Sequence, residues 1–351
     1  MYREKTVGVV LPAYNEEGFV GDVIRDMPEY VDRIYAIDDQ STDDTWSEIR
    51  AAAREDGGRT HRPKGEDIEP MMADGGTTAL ENRAFVDDAI GRVVPIQHWH
   101  NRGAGGAIKT GYLAALEDDI DATVTVDADG QMDLGQMSRL LDPLVEGQAD
   151  YAKGNRLLSK EYRAAMPRFR FVGNAILSFL TKIAAGYWKT MDPQNGYTAI
   201  SNEALEAIAV EDLYEYYGYC NDLLVKLNVH GMRVADVTMP AVYGNEESSI
   251  QYSTYIPKVS LMLLQNFLWR LKAKYLVLDF HPLALFYLVG AGTAATGLLG
   301  VGLTLLTALV AVGSPLSGST GLLLLVAGVT LLLFAMVFDM AESEHLETQI
   351  Q

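Results

Sequence analysis

Two carboxylates separated by one residue, Asp127 and Asp129, end a short β-branched run, Val124-Thr125-Val126, and Gly130-Gln131 follow at once. A strand that delivers Asp-x-Asp to a turn sets two hard oxygen ligands at its carboxyl edge, where open α/β sheets bind ligands. With no neighbouring Lys or Arg to neutralise them, the pair suits a divalent cation that itself holds a phosphorylated ligand. A solvated acidic turn is the alternative for the motif alone.

Three further turns follow strand-like segments. Residues 6–12 read as a buried parallel strand closed by proline, with Ala13-Tyr14-Asn15-Glu16-Glu17 as its turn. Residues 33–37 form a second strand ending in Asp38-Asp39-Gln40-Ser41, where Ser41 or Thr42 can cap a helix from Thr45. Residues 93–98 form a third, and Pro95 predicts an edge position for it. It leads through Asn101-Arg102-Gly103-Ala104-Gly105-Gly106 into a helix from Ile108. Glycines there let backbone N–H groups approach an anion at a helix N-terminus, and Arg102 adds charge. The segment is neither a G-x-x-x-x-G-K-[ST] loop nor G-x-G-x-x-G, because position 108 is Ile, so a dinucleotide site is disfavoured. The alternation predicts a doubly wound α/β domain with all four turns on one edge. Residues 57–83, rich in Gly, Pro and Asp, interrupt it and read as an inserted surface loop.

The formal charge of -19, from 47 acidic against 28 basic residues, argues against nucleic acid as a partner. Acidic residues dispersed over the first two thirds fit a surface adapted to high salt. The single cysteine, Cys220, excludes an intrachain disulfide and a cysteine-based zinc site. No signal peptide pattern precedes the first strand, so the body is expected in the cytoplasm.

The last third changes character. Residues 256–280 mix Leu, Met, Phe and Trp with Lys258, Arg270, Lys272 and Lys274. This suits a helix lying in the membrane interface, with Trp269 and the basic groups at headgroup depth; a packed amphipathic helix of the soluble domain is the alternative. Residues 283–312 and 320–338 lack any charged residue, and each is long enough to cross ~30 Å of hydrocarbon. Basic residues before the first span place both ends of the resulting hairpin in the cytoplasm. The expected division is a cytoplasmic domain over 1–245, an interfacial segment over 246–282, two spans over 283–339 and an acidic cytoplasmic tail over 340–351.

Pro12-Ala13-Tyr14-Asn15-Glu16-Glu17, Asp38-Asp39-Gln40-Ser41-x-Asp43-x-Thr45, Asn101-x-Gly103 with Gly111, and Asp127-Ala128-Asp129-Gly130-Gln131 occur in that order. As an ordered set they resemble the GT-A fold (a Rossmann-like mixed sheet) of family 2 inverting glycosyltransferases, in particular the dolichyl-phosphate mannosyltransferase-like branch. Gly154-Asn155-Arg156 resembles that branch's Gly-x-Arg, and Gln194-Asn195-Gly196-Tyr197 its Gln-x-Gly-aromatic. The resemblance covers residues 6–245, and a C-terminal pair of spans also occurs in the branch.

The resemblance implies roles. Pro12, Tyr14, Asn15 and Glu16, with Asp38, Asp39, Asn101 and Gly103, would hold the nucleotide. Asp127 would face the nucleotide-sugar and, with Asp129 and Gln131, bind Mg2+ or Mn2+. Arg156 would meet the diphosphate or the acceptor's phosphate, with Gln194, Arg168 and Arg170 on the acceptor side. Asp222 sits near where other family 2 enzymes keep a general base. The chain departs from the branch at Thr198, where a basic residue is common, and at residues 244–250, which carry two acids and no base.

The implied reaction moves a hexosyl group from a GDP- or UDP-hexose to polyprenyl (dolichyl) phosphate at the cytoplasmic face of the bilayer, metal-dependent and inverting. A phosphate monoester has a second pKa of about 6 and needs no dedicated base. One alternative acceptor is a hydroxyl of a lipid-linked saccharide or polysaccharide, with Asp222 as base. The other alternative is a non-catalytic membrane scaffold that binds nucleotide-sugar.

Overall fold

The computed structural model describes residues 1–59, 78–157, 168–239, 252–278, 280–309 and 318–350. The chain starts by alternating strands and helices: β1 (Val7–Ala13), α1 (Val20–Arg25), β2 (Arg33–Asp38) and α2 (Thr45–Arg59). A single turn α3 (Thr78–Glu81) leads to β3 (Ala84–Val86), β4 (Val93–His98), α4 (Ala104–Glu117) and β5 (Ala122–Thr125). Then come α5 (Met137–Val145), β6 (Tyr151–Asn155), α6 (Arg168–Ala185), β7 (Thr198–Ser201), α7 (Asn202–Ala207), α8 (Tyr219–Val229) and β8 (Val234–Thr238). Three long helices, α9 (Tyr252–Lys272), α10 (Leu283–Leu309) and α11 (Gly318–Ser343), precede a last strand, β9 (Glu347–Ile350).

Among the described residues one mixed sheet takes up nine strands in the order β3-β4-β2-β1-β5-β7-β6-β8-β9. Because β1 pairs in parallel with β2 and β5, and β2 with β4, the four turns seen in sequence emerge on one edge. Val9, Val10, Ile34 and Val124 are fully buried, and each such side chain contributes about 1.5–3 kcal/mol. The two faces carry separate apolar cores, one under α1, α2 and α5, the other under α4, α7 and α8. Gly111 is bare because α4 lies directly on β1: a Cβ there would stand 2.4 Å from Val10 Cγ1.

Three expectations are corrected. The strand holding Pro95 is not an edge: β3 covers it, and the Pro95 carbonyl accepts from the Asp87 amide just past the end of β3. Only the reciprocal donor is missing, at the end of a three-residue partner. The insertion is narrower than 57–83, since α2 runs to Arg59 and α3 starts at Thr78; residues 60–77 lie outside the described residues. Residues 344–350 are no tail. A 3-10 turn leads into β9, which pairs in parallel with β8 from Val234↔Glu347 to Val237↔Ile350.

Beyond the sheet, α9 packs on α6 and α8 through Val259, Met262 and Leu263, while Leu261, Leu264, Leu268 and Trp269 are exposed. One flank of this helix is therefore packed, and the other presents apolar side chains outward. Arg270 departs from the headgroup expectation. It is fully buried, and its Nη1 and Nη2 each donate to the Asp339 carboxylate of α11 at 2.8 Å, while Nε donates to the Ala184 carbonyl. Lys274 also turns inward and donates to Asn228 Oδ1 at 2.9 Å. Helices α10 and α11, of 27 and 26 residues, are long and apolar enough to cross a membrane. Glycines let them touch: a Cβ on Gly297 or Gly328 would come within 2.2 Å of the facing backbone.

Candidate active site

The Asp-x-Asp turn grows out of β5. Val126 still pairs with β1, donating to the Val10 carbonyl at 3.0 Å, and then the chain leaves the sheet. Asp129 Oδ1 accepts from the Gln131 amide at 2.9 Å, and Gly130 at φ +71° lets the turn close. Gly196 lies against the first carboxylate, where a Cβ would stand 3.3 Å from Asp127 Oδ2. Burial first, and then the charge of Asp129, push the Asp127 carboxyl up to about 7 despite the nearby Arg156. Asp127, Asp129, Gln131, Arg156, Gln194 and Tyr197 line one open cleft of about 140 Å³.

Arg156 reaches this cleft from the end of β6. Its Nε and Nη2 donate to the two oxygens of Asp192 at 2.7 and 2.9 Å, a bidentate fork that fixes the guanidinium. Asp192 itself adopts φ +51°. Burial pushes its carboxyl up, but Arg156 outweighs this and leaves it below its ordinary value. The loop is anchored from beneath: Lys153 pairs with Asp236 at 2.7 Å and donates to the Met191 carbonyl, while the Met191 amide donates to Asp236 Oδ2 at 2.8 Å. Lys153, Asp192 and Asp236 carried no role in the sequence reading. An isolated Asp just before Pro193 and Gln194 was the one available signal; the other two are buried in strands and silent in pattern.

The residues expected on the nucleotide side gather at the neighbouring strand ends. Tyr14 and Asn15 are exposed, Pro12 and Glu16 half-buried. Asn15 Oδ1 accepts from the Thr42 amide at 2.8 Å, tying the first turn to the second. Asp38 and Asp39 are buried instead of open to the cleft. Asp38 accepts from the Ser41 amide and from Gln97; Asp39 accepts from the Arg102 and Gly103 amides at 2.7 and 2.8 Å and meets His98 Nδ1 at 2.6 Å. Asn101 donates to the Asp39 carbonyl at 3.0 Å.

The glycine turn is likewise not an open anion site. Its Gly106 amide donates to the Glu215 carbonyl at 2.7 Å, and a Cβ on Gly105 would stand 2.8 Å from that same backbone. The glycines serve a chain crossing instead of a phosphate. Arg102 pairs with the Glu215 side chain, beside Arg83 and Lys109. Burial opposes ionising Glu215, yet these hydrogen bonds prevail and bring it down to about 2.

Asp222 does not join the cleft. Its carboxylate accepts from the Tyr214 amide, Lys226 Nζ and Asn266 Nδ2 at 2.9, 2.8 and 2.7 Å, which joins α8 to α9. A carboxylate so engaged is a structural link and not a poised base. Gln194 donates to Asn221 Oδ1 at 3.2 Å on the wall of the cleft. Arg168 and Arg170 open α6, but their side chains, like residues 244–250, lie outside the described residues.

A parallel half-sheet whose Asp-x-Asp turn opens into a cleft beside an antiparallel β7 is the architecture of a GT-A glycosyltransferase. The chain belongs to glycosyl transferase family 2, whose model matches residues 8–67 and 64–209. It is thus an enzyme of sugar transfer, and the scaffold alternative falls. The UDP-N-acetylglucosamine–dolichyl-phosphate N-acetylglucosaminyltransferase of Methanococcus voltae is 27% identical over 241 residues, 68% of this chain and 87% of that protein. Glycosyltransferase AglJ of Haloferax volcanii is 28% identical over 283 residues, 79% of this chain and 86% of that protein. Among solved structures, glucosyl-3-phosphoglycerate synthase of Mycobacterium tuberculosis matches with a TM-score of 0.49 at 19% identity, over 76% of this chain and 81% of that one.

Proposed function

We propose that the enzyme transfers a hexosyl group from a nucleotide diphosphate sugar to polyprenyl phosphate at the cytoplasmic face of a membrane. One observation carries this reading: the cleft holding Asp127, Asp129 and Arg156 belongs to a chain that goes on into an apolar-flanked α9 and the charge-free pair α10 and α11. The Methanococcus voltae relative, named for a UDP-sugar and dolichyl phosphate, supports the same substrate pair.

Asp127, Asp129 and Gln131 would hold Mg2+ or Mn2+. Among the described residues no three His, Cys, Asp or Glu side chains form a cage, which suits a cation that completes its shell with diphosphate oxygens. When bound, the cation supplies Lewis-acid stabilisation of the departing nucleotide diphosphate. Arg156, fixed by Asp192, offers positive charge to a phosphate in the same cleft. The acceptor phosphate oxygen attacks C1 in line, the bond from C1 to the diphosphate breaks, and the anomeric centre inverts. No proton needs to be taken from an acceptor that is already ionised, and the engagement of Asp222 removes the support for a hydroxyl acceptor. The exposed flank of α9 would rest in the headgroup layer. The return of β9 to the sheet supports a hairpin with both ends on the catalytic side.

The test offers full-length enzyme in liposomes a panel of labelled UDP- and GDP-hexoses with either polyprenyl phosphate or the dephosphorylated polyprenol. Label should enter lipid only with the phosphate; equal labelling of the polyprenol would overturn the reading.

A further inference from the structure

The segment that follows the second apolar helix reaches back to the backbone that leads into the cleft. Glu347, the first residue of β9, presents its carboxylate to three consecutive backbone amides. Oε1 accepts from Trp188 at 2.7 Å, and Oε2 accepts from Lys189 at 2.7 Å and Thr190 at 2.9 Å. The Thr190 hydroxyl adds a fourth donor at 3.3 Å. Charge-assisted bonds of this kind are about twice as strong as neutral ones, and three on one carboxylate fix both the position and the orientation of a backbone segment. Gln349 Nε2 reinforces the grip by donating to the Lys189 carbonyl at 3.1 Å, whereas the Lys189–Glu344 pair at 3.1 Å lies exposed in solvent and adds little.

The gripped segment leads straight into the site. Met191 follows Thr190 and is bound to Lys153 and Asp236; Asp192 follows Met191 and holds Arg156. Gln194 and Gly196 then form the cleft wall, Gly196 against Asp127. Thus one carboxylate contributed by the far end of the chain, after both apolar helices, sets the start of the loop that aims Arg156.

We propose that Glu347 is a positioning residue for sugar transfer: β9 holds the 188–196 loop in its working geometry and thereby makes the cleft depend on the membrane hairpin being in place. The inference rests on the transfer reaction proposed above, so the test separates the two. Full-length wild type, Glu347→Gln, Glu347→Asp and the surface control Glu344→Gln are compared in liposomes by steady-state transfer, by thermal melting and by amide exchange of residues 188–197.

Glu347→Gln keeps the size but loses the charge and one accepting oxygen. It should speed exchange at Trp188, Lys189 and Thr190 by at least tenfold and lower kcat by about 100-fold, the scale of a misplacement near 1 Å. Donor KM should stay within about threefold, since the Pro12–Glu17 and Asp38–Asp44 turns are untouched. Glu347→Asp, which keeps the charge, should recover much of kcat, and Glu344→Gln should match wild type. A Glu347→Gln enzyme that melts earlier but keeps wild-type kcat would make Glu347 a stabilising contact only and overturn the proposal. Unchanged amide exchange would overturn it as well. A wild-type enzyme that labels no polyprenyl phosphate with any donor would strike the transfer reading instead, while the exchange result would still decide whether Glu347 holds the loop.

Discussion

Asp127 is the residue where burial and a neighbouring like charge act together. With its carboxyl pushed up to about 7 by burial and by Asp129, it binds a proton through the range in which an ordinary carboxylate is ionised. A cation must displace that proton, so Mn2+ affinity should rise about tenfold per pH unit between pH 5 and 7 and level off above. The sign for stability is opposite. A folded-state value above the ordinary one stabilises the fold at low pH and is lost as pH climbs through about 7, so the metal-free enzyme should melt earlier at pH 8 than at pH 6. Mn2+ titration by electron paramagnetic resonance and thermal melting check both slopes, and Asp127→Asn should flatten both. A pH-independent Mn2+ affinity in the wild type would contradict the account.

At this scale the sequence was legible where chemistry shares a short stretch. Asp127, Asp129, Gln131, Arg156 and Gln194 were all singled out, and they line one cleft. It was misleading where partners come from afar. The glycine turn looks like a phosphate cradle until Glu215 fills it, and Asp39 looks open until His98 and the 102–103 amides close on it. Asp222 reads as a base only as long as Lys226 and Asn266 are out of view.

Among the elements, β1, β2, β4 and β5 announced themselves through short apolar runs rich in β-branched residues, and α10 and α11 through the absence of charge. The antiparallel β7 and the edge strand β9 did not, because four residues carry too little periodicity to be read. The Arg270–Asp339 pair was hidden for another reason: Arg270 reads as one of several basic groups at headgroup depth, and Asp339 stands just past a charge-free run with no partner nearby in sequence. Their pairing joins α9 to α11 in a fully buried site. Removing one partner strands the other charge, at a cost of about 3–5 kcal/mol. Arg270→Met should therefore lower the melting temperature sharply in detergent, and Arg270→Met with Asp339→Leu should recover most of the loss. Equal melting of the single variant and wild type would mean that the pair does not hold the helices together.

The whole molecule places a charged cleft on one side of a sheet whose last strand is supplied from beyond two apolar helices. Among the described residues the strand order, with β9 outside β8, makes the two apolar helices an insertion within the sheet domain and not an appendage to it. The residues proposed for the donor come from the first half of the sheet, and Arg156, Gln194 and the elements behind them from the second. The proposed reaction needs both at once. Its most direct test follows labelled sugar from the productive nucleotide donor into chloroform-soluble polyprenyl phosphate, comparing wild type with Asp129→Ala at equal amounts of folded, membrane-bound protein. The account predicts a loss of about 100-fold or more; undiminished transfer by Asp129→Ala would contradict it.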